Sequence, residues 1–135
     1  MSGRLRVGDP LPQAERVATL ETLVRYAGAA GDFYPMHYDL EAARRQGHPE
    51  LSIHGLLKAA WLYQYVADWA EGWAEVVDID IKYRAMDYRD RALTLGGRVE
   101  ALGEDIVDLT IWTEDDEGTQ TTTGTARLRC LPGRP

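Results

Sequence analysis

An acid and an imidazole, Asp32 and His37, stand five residues apart in the stretch AAGDFYPMHYD at residues 29–39, with Pro35 between them. Imidazole titrates near neutrality, and a carboxylate beside it can fix its orientation or share a water with it, which suits general acid–base chemistry. Pro35 confines Tyr34 to an extended conformation and forbids one helix running from Asp32 to His37. On a continuous helix the i, i+5 spacing would set the two groups well off a common face. Breaking the helix lets both turn toward one water.

A second feature lies at 53–55, Ile-His-Gly, where a long apolar segment begins. The first amides of a helix have no intrahelical acceptor and stand at the positive end of its dipole, so the N–H of Gly55 is a ready donor to an oxyanion. A residue without a side chain there lets a carbonyl approach closely. Ser52 and His54 are both candidates to cap this helix. His48, beside Pro49, reads as a surface-loop residue. Asp32, His37, His48 and His54 show no familiar metal-ligand spacing, so no metal is expected. Neither a phosphate loop nor a Gly-x-Ser-x-Gly elbow is present.

The elements that must position these residues follow from hydrophobic periodicity. Leu20, Leu23, Val24 and Ala27 share one helical face, Thr19 can cap it, and Gly28 and Gly31 loosen its end, so Asp32 falls at or just beyond the C-terminus. Asp39 reads as the N-cap of a short helix, LEAARRQ, stopped by Gly47. From about Ile53 to Trp73 the chain is apolar on most faces, including Trp61, Tyr63, Tyr65, Trp69 and Trp73, which predicts a helix surrounded by protein. Most of these aromatics, with Phe33 and Tyr34, are assigned to core or subunit interface. The second half reads as strands: VVDIDIKYRA, ALTLGGRVEAL, DIVDLTIWTED and TQTTTGTARLRCL alternate apolar and polar residues. A further strand is expected at 14–18. Short turns near Arg89-Asp90, Gly103-Glu104 and Glu117-Gly118 imply antiparallel neighbours, and the buried face of such a sheet must cover something. The predicted class is therefore α+β, a curved antiparallel sheet wrapped around one long central helix.

Composition narrows the partners. A chain of 135 residues predicts one domain, and 44% hydrophobic with 27% charged residues is globular. The formal charge of −7 argues against a nucleic-acid backbone as partner. The acidity is spread along the chain and reads as solvated surface, as at Glu114, Asp115, Asp116 and Glu117. Cys130 is the only cysteine and suggests a half-buried strand residue, neither a disulfide nor a thiolate metal site. No signal-like segment opens the chain, and no apolar stretch reaches the ~18 residues of a membrane span, so a cytoplasmic protein without membrane contact is expected.

The segment YAGAAGDFYPMHYDLEAARRQGHPELSIHGLL strongly resembles the hydratase motif of the MaoC-like dehydratases, the (R)-specific enoyl-CoA hydratases of the hotdog fold. The matching residues are Tyr26-Ala27, Gly31-Asp32, Pro35, Met36, His37, Asp39 and His54-Gly55. The resemblance implies that Asp32 and His37 hold and activate a water, with His37 as the main proton-transfer group, and that the amide of Gly55 binds the thioester oxygen. Tyr34, Ser52 and His54 join Gly55 in the expected oxyanion and substrate-binding group, and one or two of the aromatics would line an acyl pocket. It implies reversible addition of water to a trans-2-enoyl-CoA to give an (R)-3-hydroxyacyl-CoA, with no metal or redox cofactor, because coenzyme A arrives as part of the substrate. There are two departures from the pattern: Tyr34 replaces the family's Asn, and Met86 and Arg89-Asp90 replace its Pro and Gly-Asp, as in a divergent subgroup. LYQYVADWAEG at 62–72 also resembles the central helix of the small subunit of actinobacterial steroid side-chain hydratases, which pairs with a second MaoC-like chain. A homodimer, or a heteromer with another MaoC-like chain, is therefore expected. The alternatives are a partner subunit in which the other chain performs turnover, and a hotdog acyl-CoA thioesterase in which water attacks the thioester carbonyl.

Overall fold

The computed structural model describes residues 3–133. Helix α1 spans Leu20–Ala30, and its start is fixed by Thr19, whose hydroxyl accepts the Thr22 N–H at 3.2 Å. It ends at Gly31, whose φ of 69° is a left-handed conformation that costs glycine little. A single 3-10 turn, Pro35–His37, follows, with Tyr34 extended before it. Asp39 caps α2, Leu40–Arg45, by accepting the Ala42 N–H. The long helix α3 is Gly55–Ala70, shorter at both ends than the apolar run from Ile53 to Trp73. Neither Ser52 nor His54 caps it with a side chain, although His54 occupies the capping position.

Five strands follow the predicted segments closely: β1 Ala14–Val17, β2 Ala74–Tyr83, β3 Ala92–Leu102, β4 Ile106–Glu114 and β5 Gln120–Cys130. Every pairing is antiparallel, in the order β1-β3-β4-β5-β2. One expectation fails here: the connection after β2 is short, yet β2 and β3 are not neighbours. Residues 84–91 leave the sheet and pass the start of α3, where Ile53 donates to the Asp87 carbonyl at 2.8 Å, Arg89 donates to that of Leu51 at 2.9 Å, and Ser52 and Tyr88 form an isolated bridge. Backbone groups satisfied outside the sheet let β2 return to β5, so connection length alone did not dictate adjacency.

Bulges between Val76 and Asp78, Val99 and Ala101, and Thr113 and Glu114 bend the sheet around α3, giving the hotdog arrangement. Leu62, Tyr65, Val66 and Ala70 of α3 pack on Leu95, Val99, Leu109, Ile111, Ala126 and Leu128 of the sheet. A second cluster joins Leu23 and Ala43 to Leu51, Ile53, Leu57 and Leu93 beneath the first turns of α3. This second cluster fastens the segments bearing Asp32 and His37 against the helix start. Contrary to the expectation of a helix covered on most faces, Leu56 and Tyr63 are exposed. Cys130 is half-buried on its strand. No described helix is long and apolar enough to cross a membrane.

Candidate active site

Asp32, His37 and His54 converge: a carboxylate oxygen and one ring nitrogen from each imidazole lie within 4.8 Å of one another. Asp32 is delivered by the end of α1, its own N–H bonded to the Ala27 carbonyl. One carboxylate oxygen accepts the Tyr34 N–H at 3.3 Å, a local turn that leaves the second oxygen for the site.

His37 is 5% exposed, and its Nδ1 lies 2.8 Å from the Ser52 carbonyl and 3.2 Å from the Ser52 hydroxyl. A carbonyl only accepts, so Nδ1 carries the proton in the neutral ring and Nε2 is left as the basic nitrogen. Ser52, fully buried, thus orients the imidazole.

His54 is 1% exposed and stacks on His37, with ring centroids 3.8 Å apart and planes 19° from parallel. By the same reasoning its Nε2 donates to the Asp32 carbonyl at 3.3 Å, leaving Nδ1 buried without a partner among the described residues. Burial first, and the neighbouring His37 second, push its pKa below the ordinary imidazole value. That shift favours the neutral ring of His54, which holds His37 in plane while its N–H steadies the Asp32 backbone. Nearly parallel rings cannot both place a nitrogen lone pair on one ion at the ~2.0–2.1 Å of a zinc site. A carboxylate and an imidazole at this separation suit general acid–base chemistry.

Tyr26 meets the His54 ring edge-on at 4.8 Å, and its hydroxyl pKa is raised by burial, by the Asp32 charge and by Tyr83. Tyr83, at the end of β2, lies over the start of α3: a β-carbon added to Gly55 would meet its ring at 3.1 Å. The bare α-carbon of Gly55 is thus explained by close packing of a tyrosine, where the sequence suggested room for a carbonyl. The first intrahelical bonds are those of Leu57 and Lys58 to the His54 carbonyl, which leaves the Gly55 amide ahead of the ladder.

The remaining expected residues divide. The Tyr34 hydroxyl accepts from Gln46, and its ring lies 6.3 Å from that of His37, at the rim of the site. Trp61, Trp69 and Trp73 pack against the core, and Tyr65 is buried with its hydroxyl donating to the Pro12 carbonyl. Phe33, Tyr34 and Tyr63 are exposed. His48 stands apart, bonded to the Tyr88 hydroxyl. Sequence reasoning gave no role to Tyr83, or to Lys58 and Asp87, a buried ion pair at 2.9 Å. A lone cation within the apolar run of α3 was the available signal for Lys58; nothing local pointed to a partner 29 residues away.

This chain and its fold have counterparts among known proteins. Residues 5–121 match the family model described as MaoC like domain, and the chain belongs to that family. The 3-oxo-4,17-pregnadiene-20-carboxyl-CoA hydratase beta subunit of Mycobacterium tuberculosis is 26% identical over 105 residues, 78% of this chain and 81% of the relative. Among solved structures, the ChsH1-ChsH2 complex from Mycobacterium tuberculosis superposes with a TM-score of 0.85 at 25% identity, covering 93% of this chain and 98% of that one. The (R)-hydratase from A. caviae involved in PHA biosynthesis gives 0.86 at 21% identity, covering 94% and 98%, a likeness of fold. The relatives carry the names of hydratases and dehydratases, and hydratase or dehydratase chemistry is the activity class of this chain.

Proposed function

We propose that the chain adds water reversibly to a trans-2-enoyl thioester of coenzyme A, giving the 3-hydroxyacyl thioester, in the (R) series as the motif resemblance implies. The observation that carries this reading is the contact of His37 Nδ1 with the Ser52 carbonyl, which commits the ring proton to Nδ1 and leaves Nε2 basic, in a cluster where an Asp32 carboxylate oxygen and a ring nitrogen of His37 and of His54 lie within 4.8 Å of one another. Water held between them gives one proton to Nε2 as its oxygen bonds to C3 of the alkene. The C2=C3 electron pair moves toward the thioester oxygen, where the Gly55 amide offers a hydrogen bond to the growing charge. His37 then returns the proton to C2, completing addition of one water with no change in oxidation state. Each step runs backward for dehydration.

A second reading is favoured by one finding, the similarity to a hydratase named as a beta subunit. The chain then works beside a second MaoC-like chain, which would cover exposed side chains around the site such as Phe33, Leu56 and Tyr83. Loss of enoyl-thioester absorbance with the purified chain, offered short, medium and steroid-type trans-2-enoyl-CoAs, separates the two. Turnover by the chain alone supports the self-sufficient hydratase. Silence from a folded sample overturns it in favour of the partner-dependent subunit.

A further inference from the structure

The mechanism above makes no use of Lys58 and Asp87, yet burying two charges is costly unless geometry and hydrogen bonds compensate. Their side chains are 3% and 4% exposed and meet at 2.9 Å, and Lys58 Nζ also donates to the Ala85 carbonyl at 3.1 Å. Lys58 sits on α3 one turn beyond His54, whose carbonyl accepts its N–H. Asp87 lies in the connection from β2 to β3, within the short ladder that pairs residues 87–89 with 51–53. At the centre of that ladder is Ser52, whose carbonyl holds the His37 proton. The Lys58 ammonium also lies 6.0 Å from the ring centroid of Tyr83, the residue packed on Gly55.

We infer that the Lys58–Asp87 pair is a positioning device that clamps the 84–91 connection to α3 and so holds the Ser52 carbonyl against Nδ1 of His37. The pair touches neither substrate nor reacting atoms. Its influence passes from Asp87, whose carbonyl binds the Ile53 N–H, through the adjacent Ser52 to the imidazole tautomer. An apolar pair of similar volume fills the same space, but it cannot hold the Ala85 carbonyl or direct residues 85–87 onto the helix.

The inference deepens the hydratase reading and rests on it for its kinetic consequence, but its first test is independent of activity. The chain has three histidines, so imidazole nitrogen NMR of a 15N-labelled sample can be assigned with single His→Gln variants. In the unaltered chain His37 is expected as the Nδ1–H tautomer. Lys58→Met leaves a buried carboxylate unpaired and is expected to lose stability, so the informative variant is the double Lys58→Met/Asp87→Leu, in which no charge is stranded. The double variant is expected to fold, to show His37 as a mixture of tautomers, and to lose about 10- to 100-fold in kcat with KM little changed on any enoyl-CoA the unaltered chain accepts. A well-folded double variant that keeps the single Nδ1–H tautomer would overturn the inference, whatever its activity. A tautomer mixture in a chain without hydratase activity would keep the inference and remove the proposed reaction.

Discussion

At the scale of single residues, the site depends on which nitrogen of each imidazole is free. His37 offers Nε2 because Ser52 takes the other proton, and Asp32 offers one oxygen because the Tyr34 amide takes the other. In the proposed reaction His37→Ala removes the proton carrier and Asp32→Asn removes the charge that holds the water. Each is expected to lower hydration by about 10²–10⁴-fold with the fold intact, and near-normal turnover in either variant would take that residue out of the mechanism. His54 predicts a pH dependence of stability. Its folded pKa is depressed, so below the ordinary value of 6.5 the unfolded chain binds a proton that the folded chain resists. The stability present above that pH is lost as pH falls toward the folded pKa. Urea midpoints measured from pH 7.5 to 5.5 are expected to drop, and to drop less steeply in His54→Asn; equal slopes would refute the buried neutral imidazole.

At the scale of elements, close approach of backbones decides what substitutions the sheet tolerates. Gly124 of β5 lies against β2 so tightly that a β-carbon would collide with the Asp80 carbonyl oxygen and come within 2.9 Å of Ile81 Cδ1. Gly124→Ala is expected to destabilise by about 1–3 kcal/mol through forced separation of the two strands. Gly28, inside α1, has nothing within 4 Å of its added β-carbon. Gly28→Ala should therefore stabilise by up to about 1 kcal/mol, from helix propensity alone. Denaturant titrations of the two variants, expected to shift in opposite directions, check both. The helix caps were legible in sequence because Thr19 and Asp39 act within three residues of themselves. The place of β2 was not, because bonds between residues 51–53 and 87–89 set where the chain re-enters the sheet.

At the scale of the whole molecule, β2 closes one side of the sheet and, among the described residues, has β5 as its only strand partner, and it carries exposed Val77 and Tyr83. An open strand edge of ten residues is a template for another chain. The proposal of a homodimer, or of a heteromer with a second MaoC-like chain, predicts that sedimentation at micromolar concentration finds either a dimer or a monomer that assembles when the partner is added. Val77→Glu should weaken that assembly at least tenfold in Kd while leaving the unfolding free energy of the isolated chain, from urea titration, within about 0.5 kcal/mol of its original value. Unaltered assembly would place the interface away from β2.

Local pattern by itself determined the helices, the five strands and the candidates Asp32, His37 and Gly55, because caps, period-2 alternation and a proline break act over a few residues. The motif that spans 26–55 further determined the family. Tertiary structure alone decided the strand order, the stacking of His54 on His37, the tyrosine over Gly55 and the ion pair of Lys58 with Asp87. These join residues far apart in the chain, and contacts of that kind arise only when two buried faces are fitted together. His54 shows the difference: in sequence it was a candidate cap, and in the folded chain burial makes it the neutral plate on which the basic imidazole rests.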